Sequence, residues 1–321
     1  MTKLGKRFIG ARQTTVAREI VLTGTGVHSG SPVSIVLHPA DMDTGIRFLV
    51  VNDSGPAVEI IADVRSVTNT QLCTVLSCES GVSVATVEHL LAALRGLCVD
   101  NVYVEIDSHE VPIMDGSSGA FVEAIDDAGI RELNAPRKYI KVLKPIRVEE
   151  QGCYGELVPH SGFHLDIQID FDTPVIGRQQ MDLEMSPGVF RAELSRARTF
   201  GFMRDVERLW AAGRALGASL DNTVAIGEDR VINPEGLRFS NEFVRHKMLD
   251  AVGDLALAGA PLLGAFKSVR GGHTLNAAVL QAMFADKDAW AVVHAPRVRD
   301  SVFHMDLSHG GAVANYAADR T

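Results

Sequence analysis

The run Phe243-Val-Arg-His246-Lys-Met-Leu-Asp250-Ala-Val-Gly-Asp254 constrains this chain more than any other stretch. Wound as a helix, it stacks His246, Asp250 and Asp254 at intervals of four on one face. Val244, Met248, Val252 and Leu255 turn to the other side. A solvated polar face carries such residues too. The sharper reading is a divalent-cation site, because two ligands fixed on one helix lose little entropy when they converge. Zinc accepts imidazole nitrogen and carboxylate oxygen, and a catalytic site keeps one coordination position open.

A third ligand has to come from elsewhere. The pattern Val87, Leu90, Leu91, Leu94 and Cys98 predicts a helix from about Val87 to Leu97. His89 lies off that stripe near the helix start, where the dipole disfavours an imidazolium and keeps a neutral ligand available. Glu88 points about 100° away from His89, so it is placed to take a proton from water at the cation rather than to share its coordination position. His273 follows two glycines in Val269-Arg-Gly-Gly-His273 and is expected on a tight loop. Asp254, one turn beyond Asp250, is the candidate that orients His273 and stabilises its protonated form as a general acid. Lys247 and Arg270 add positive charge suited to a phosphate-bearing substrate. Thr199, in Arg196-Ala-Arg-Thr-Phe-Gly-Phe202, offers a hydroxyl near a reacting carbonyl. Met203, Val206, Leu216, Leu220 and Val224 are either core residues or the walls of a narrow apolar passage; patterning does not separate the two.

The net charge of −9 is spread without blocks, which argues against nucleic acid as a partner. The basic N-terminus has no apolar core behind it, so no signal peptide is expected. The longest apolar run, Leu255 to Phe266, is too short for a transmembrane segment and is broken by Gly and Pro. Cys73, Cys78, Cys98 and Cys153 form no CxxC pair and read as reduced thiols of a cytoplasmic protein. Each half of the chain reads as strands followed by helices. In the first half the strands are 34–37, 45–51, 58–61, 72–76 and 101–106, with a second helix over 120–128. Asn134 to Lys138 reads as a linker. Beyond it lie strands at 139–148, 153–158 and 164–171, a helical stretch at 202–212, and a long helix over 241–258 capped by Ser240 or Asn241. Domains are expected at 1–135 and 136–308, with a small polar tail at 309–321.

Assembled in order, these residues resemble the zinc-dependent UDP-3-O-acyl-N-acetylglucosamine deacetylases of lipid A synthesis. The carrying motifs are Thr23-Gly-Thr-Gly-Val-His28-Ser-Gly30, Thr86-Val-Glu88-His89-Leu90, Pro112-Ile-Met-Asp115-Gly-Ser117, Ala197-Arg-Thr199-Phe200-Gly201-Phe202, His246-Lys247-Met-Leu-Asp250 and Gly272-His273. The resemblance implies an α+β fold of two similar domains, each a mixed β-sheet with two helices, the helices packed together in a β-α-α-β sandwich. It implies Zn2+ on His89, His246 and Asp250, with Fe2+ as the alternative the same ligands accept. Glu88 would be general base, His273 general acid with Asp254 behind it, and Thr199 an aid to the oxyanion. Lys247, Arg270 and Phe200 would hold the nucleotide-sugar. Met203, Val206, Ala215, Ser219, Leu220 and Ala225 would form the acyl passage. The implied partner is a small acylated UDP-sugar. A monomer is expected, with peripheral membrane contact at most. The competing readings are another zinc amidohydrolase, with the lack of an HExxH motif counting against a peptidase, and a non-catalytic module in which metal ties two domains together.

Overall fold

Two buried helices meet backbone to backbone at Gly253. In the computed structural model, residues 11–51 and 55–295 are described. The N-terminal residues 1–10 and the tail expected at 309–321 lie outside the described residues. The helical segments are α1 (Glu88–Gly96), α2 (Gly119–Ala128), the single turn α3 (Pro187–Val189), α4 (Val206–Ala211), α5 (Glu242–Leu255) and α6 (His273–Ala285). A Cβ on Gly253 of α5 would lie 2.0 Å from the carbonyl oxygen of Glu88 in α1. Only glycine lets the two backbones approach this far. Every residue of α1 is buried, and so is every residue of α5 except Arg245 and Lys247. The face carrying His246, Asp250 and Asp254 is therefore sealed inside the molecule, which rules out a solvated polar face. Neither Ser240 nor Asn241 caps α5 through its side chain. Asn241 Oδ1 instead accepts from Arg245 Nε at 2.7 Å.

The fold is α+β. In the first half a five-stranded mixed sheet runs in the order Ile20–Thr25, Pro32–Pro39, Val102–Ile106, Ile46–Val50, Val58–Ile61. Its one parallel pairing joins Ile46–Val50 to Val102–Ile106. In the second half Leu262–Val269 is the central strand, paired antiparallel with Cys153–Pro159 and parallel with both Lys138–Val142 and Phe163–Asp170. One continuous apolar core joins inward residues of both sheets, among them Ile35, Phe48, Leu165 and Phe266, to Leu90, Leu94, Met248, Val252 and Val279 of the helices. All four cysteines are free. Among the described residues, no helix is long and apolar enough to cross a membrane.

Several boundaries differ from the sequence expectation for local reasons. The stretch read as a linker is the end of strand Ile130–Pro136, paired with Arg12–Val16, followed at once by strand Lys138–Val142. Proline is tolerated there because it ends an edge strand and owes no ladder hydrogen bond. The single strand expected over 139–148 is two strands, Lys138–Val142 and Ile146–Glu150, interrupted at Pro145. The strand expected at 72–76 shrinks to Val75–Ser77, since Leu72 has φ +69° and cannot continue a pleat. Strand Leu262–Val269 begins inside the apolar run Leu255 to Phe266 and continues past it.

Gly253→Ala is expected to lower unfolding stability by about 1–3 kcal/mol, the usual cost of forcing a methyl into a packed core. Chemical denaturation measures this; an unchanged midpoint would show that the two helices separate without cost.

Candidate metal centre and active site

The glycine contact places the start of α1 against the last turn of α5, three residues past Asp250. His89 from α1 and His246 and Asp250 from α5 converge, with ligand atoms all within 4.8 Å of one another. Asp250 Oδ1 lies 3.3 Å from His246 Nε2 and 3.5 Å from His89 Nε2. Three ligands bound at about 2.0–2.2 Å in tetrahedral geometry stand at such separations. The two rings are nearly perpendicular, with centroids 4.9 Å apart.

A cation fits the polar atoms left over. His246 Nδ1 meets the Ala197 carbonyl at 3.0 Å and can only donate to it, so Nε2 presents a lone pair to Asp250 Oδ1. Asp250 Oδ1 and His89 Nδ1 are both buried without a hydrogen-bond partner. Lone pairs facing one another in a dry interior are costly unless a proton or cation lies between them. Burial, more than any neighbour, pushes His246 down to about 4, leaving it neutral as a ligand must be. Burial works against ionisation of Asp250, but His246 and Lys247 win and hold its carboxyl well below the usual range.

Beside this triad lies an acid–base pair. Glu88, 3% exposed, takes the Thr74 N–H on Oε2 at 3.1 Å. Burial raises its pKa, and the nearby His273 and His89 only partly offset that. His273 Nε2 stands 3.9 Å from Glu88 Oε1, while its Nδ1 donates to Asp254 Oδ2 at 2.8 Å. The tight loop expected for His273 is corrected: it is the first residue of α6. A helix start disfavours an imidazolium, and burial does so too. Asp254 and Glu88 outweigh both and push His273 up to about 9. It is therefore protonated at neutral pH. Of His246 and His273, the first is neutral because burial dominates, and the second is charged because two carboxylates outweigh burial.

Three contributors were not anticipated from sequence. Thr74 Oγ1 donates to Asp254 Oδ1 at 2.6 Å, and Asn276 Nδ2 donates to Asp254 Oδ2 at 2.8 Å. Asn276 is one turn after His273, a relation visible only once His273 is placed on a helix. The third is Arg198, fully buried and paired with Glu242 and Glu235. Its neighbour Ala197 supplies the carbonyl that orients His246.

The remaining candidates are more dispersed. Lys247 Nζ lies 2.7 Å from Asp250 Oδ2, on the carboxylate oxygen turned away from His246 Nε2. Phe200 packs edge-on to Phe243 and His246, with centroids 5.1 and 6.2 Å away. Thr199 is half-buried, its N–H bonded to the Gly116 carbonyl at 2.8 Å. Arg270 is exposed, with φ +57°. Met203 and Leu220 are exposed by 48% and 41%, well outside any core. Ser219 is exposed, and Val206 and Ala215 are half-buried. Ala225 is buried, its N–H held by Asn233 Oδ1 at 2.7 Å.

A sequence family described as UDP-3-O-acyl N-acetylglycosamine deacetylase matches residues 13–285. Relatives from Brucella ovis and Brucella abortus, each named UDP-3-O-acyl-N-acetylglucosamine deacetylase, are 50% identical over 290 residues, covering 89% of this chain and 100% of the relative. A relative of the same name from Brucella melitensis biotype 2 is 49% identical over the same span.

His246→Ala should abolish stoichiometric cation binding, whereas Asp254→Asn, one turn along the same helix, should leave it intact. Equilibrium dialysis with elemental analysis reads both; loss from both variants, or from neither, contradicts the ligand assignment.

Proposed function

The chain belongs to the UDP-3-O-acyl N-acetylglycosamine deacetylase family, and from that premise we propose that it hydrolyses the N-acetyl group of a UDP-linked, 3-O-acylated N-acetylglucosamine, releasing acetate, in lipid A biosynthesis. One observation carries the mechanism: ligands from two helices converge beside a buried carboxylate and a protonated imidazole. His89, His246 and Asp250 would hold zinc. Such an ion would supply Lewis acidity, lowering the pKa of a bound water to about 7 and polarising an amide carbonyl.

The protein's own groups do the rest. Glu88, in its ionised form, takes the proton of the attacking water. Its raised pKa makes it a better base than a solvent-exposed glutamate. Protonated His273 faces the same space, stabilises the developing oxyanion together with Thr199, and then gives its proton to the departing amine. Asp254 fixes the His273 ring through Nδ1, so the proton delivered comes from Nε2, which faces Glu88. Lys247 neutralises the outer oxygen of Asp250 and, with Arg270 and Phe200, is assigned to the nucleotide-sugar. Met203, Val206, Ala215, Ser219, Leu220 and Ala225 are assigned to the acyl chain; the exposure of Met203 and Leu220 supports an apolar ligand there.

The same reading makes the protein a cytoplasmic monomer that meets a membrane only peripherally. Dispersed negative charge supports the absence of a nucleic-acid partner. It also divides the chain near residue 135, where strand Ile130–Pro136 closes back on Arg12–Val16 before the second sheet begins.

Acetate release from the acylated nucleotide-sugar should vanish on chelation and return with zinc. Glu88→Ala should lower kcat by about 10²–10⁴-fold, the usual worth of a general base, while keeping its cation; full turnover in the loaded variant would contradict the role. The kcat/KM profile should be bell-shaped. Activity needs ionised Glu88, so it falls as pH drops through that group's raised pKa. It needs protonated His273, so it falls as pH rises through about 9. His273→Gln should remove the basic limb, and its persistence would assign that limb to another group.

A further inference from the structure

The segment from Met203 to Leu220 carries Met203, Trp210, Leu216 and Leu220, exposed by 48%, 56%, 54% and 41%. Large apolar side chains crowded into one exposed stretch mark an interaction surface. The acyl chain named in the relatives' substrate is the apolar ligand that would cover them. This segment belongs to the second half of the chain, yet it docks on the first. The Leu216 N–H bonds the His28 carbonyl at 3.1 Å, and the Gly217 N–H bonds the Val27 carbonyl at 3.0 Å. The Ala215 N–H meets His28 Nδ1 at 3.4 Å. The contact is so close that a Cβ on Gly217 would lie 2.3 Å from the Gly26 carbonyl oxygen.

The receiving loop is held from beneath by one carboxylate. Glu110, 3% exposed, accepts the His28 N–H on Oε1 and the Ser29 N–H on Oε2, both at 2.8 Å. Oε1 also accepts the Thr86 hydroxyl at 3.0 Å. Thr86 has φ +58° and comes two residues before Glu88 and three before His89. The backbone beside Glu110 is tied to the same place: the Val111 N–H bonds the Ala85 carbonyl, and the Ala85 N–H bonds the His109 carbonyl. A single buried side chain thus connects the dock of the apolar segment to the turn that launches α1.

Resting on the deacetylase reading above, we infer that Glu110 is a positioning residue that couples acyl-chain binding on the 203–220 segment to the placement of Glu88 and His89, and so sets selectivity for acylated substrate. Binding energy from the remote chain is then spent on orienting the reacting groups.

Replacing Glu110 with Gln keeps the shape but turns one acceptor oxygen into a donor facing a backbone N–H or hydroxyl. The experiment compares acetate release from a long-chain UDP-3-O-acyl-N-acetylglucosamine and from unacylated UDP-N-acetylglucosamine, with cation content measured on each variant. Glu110→Gln should lower kcat/KM for the acylated substrate by about tenfold and that for the unacylated one by less than about twofold, with the cation retained. Gly217→Ala attacks the same link from the other side and should give the same selective loss; it decides the matter if Glu110→Gln fails to fold. Equal losses on both substrates would reduce Glu110 to a general structural role, and no loss on either would remove the coupling; both overturn the inference alone. Wild-type protein that releases no acetate from either substrate overturns the parent reading and this inference together.

Discussion

The site exists because α1 and α5 touch without side chains between them. His89 and Glu88 sit at the start of one helix, and His246, Asp250 and Asp254 run along the other. Each helix alone presents an incomplete set. Gly253 against the Glu88 carbonyl brings them within coordination distance. Burying this many ionisable groups is expensive. The cost is met by pairing each against another, and Asp250 Oδ1, between the Nε2 atoms of His246 and His89, is left over at the point where a cation supplies what no side chain does.

Electrostatics then separates two histidines of one type into two roles. His246 looks onto another imidazole and the ligand carboxylate, and burial keeps it neutral. His273 looks onto Asp254 and Glu88, and their combined charge overrides both burial and the helix start. Pushing paired groups apart in this way is how one small space performs acid and base chemistry at a single pH. Thr74 and Asn276 matter here because they donate to Asp254 and hold it in place for His273.

Much of this was legible in the sequence, and the parts that were not have definite causes. The spacing of His246, Asp250 and Asp254 needs only helical periodicity, and it survives because α5 runs unbroken from Glu242 to Leu255. His89 was recoverable because it breaks its own apolar stripe. His273 was identified but misplaced: two preceding glycines look like a loop, although the second is the residue before the helix start. The role of Thr74 is not legible in sequence because its contact with Asp254 spans 180 residues, and no periodicity reports a tertiary hydrogen bond. The linker at 134–138 failed because proline and charge read the same way in an edge strand as in a loop. Position in the sheet, which decides between them, is a property of the whole fold.

The most direct measurement is anomalous diffraction at the zinc edge from crystals of the zinc-loaded protein. The account predicts one strong peak at about 2.0–2.2 Å from nitrogen atoms of His89 and His246 and from Asp250 Oδ1, the usual zinc bond lengths. A peak elsewhere, or one touching only the α5 residues with His89 turned away, would contradict the claim that the two helices together build the site.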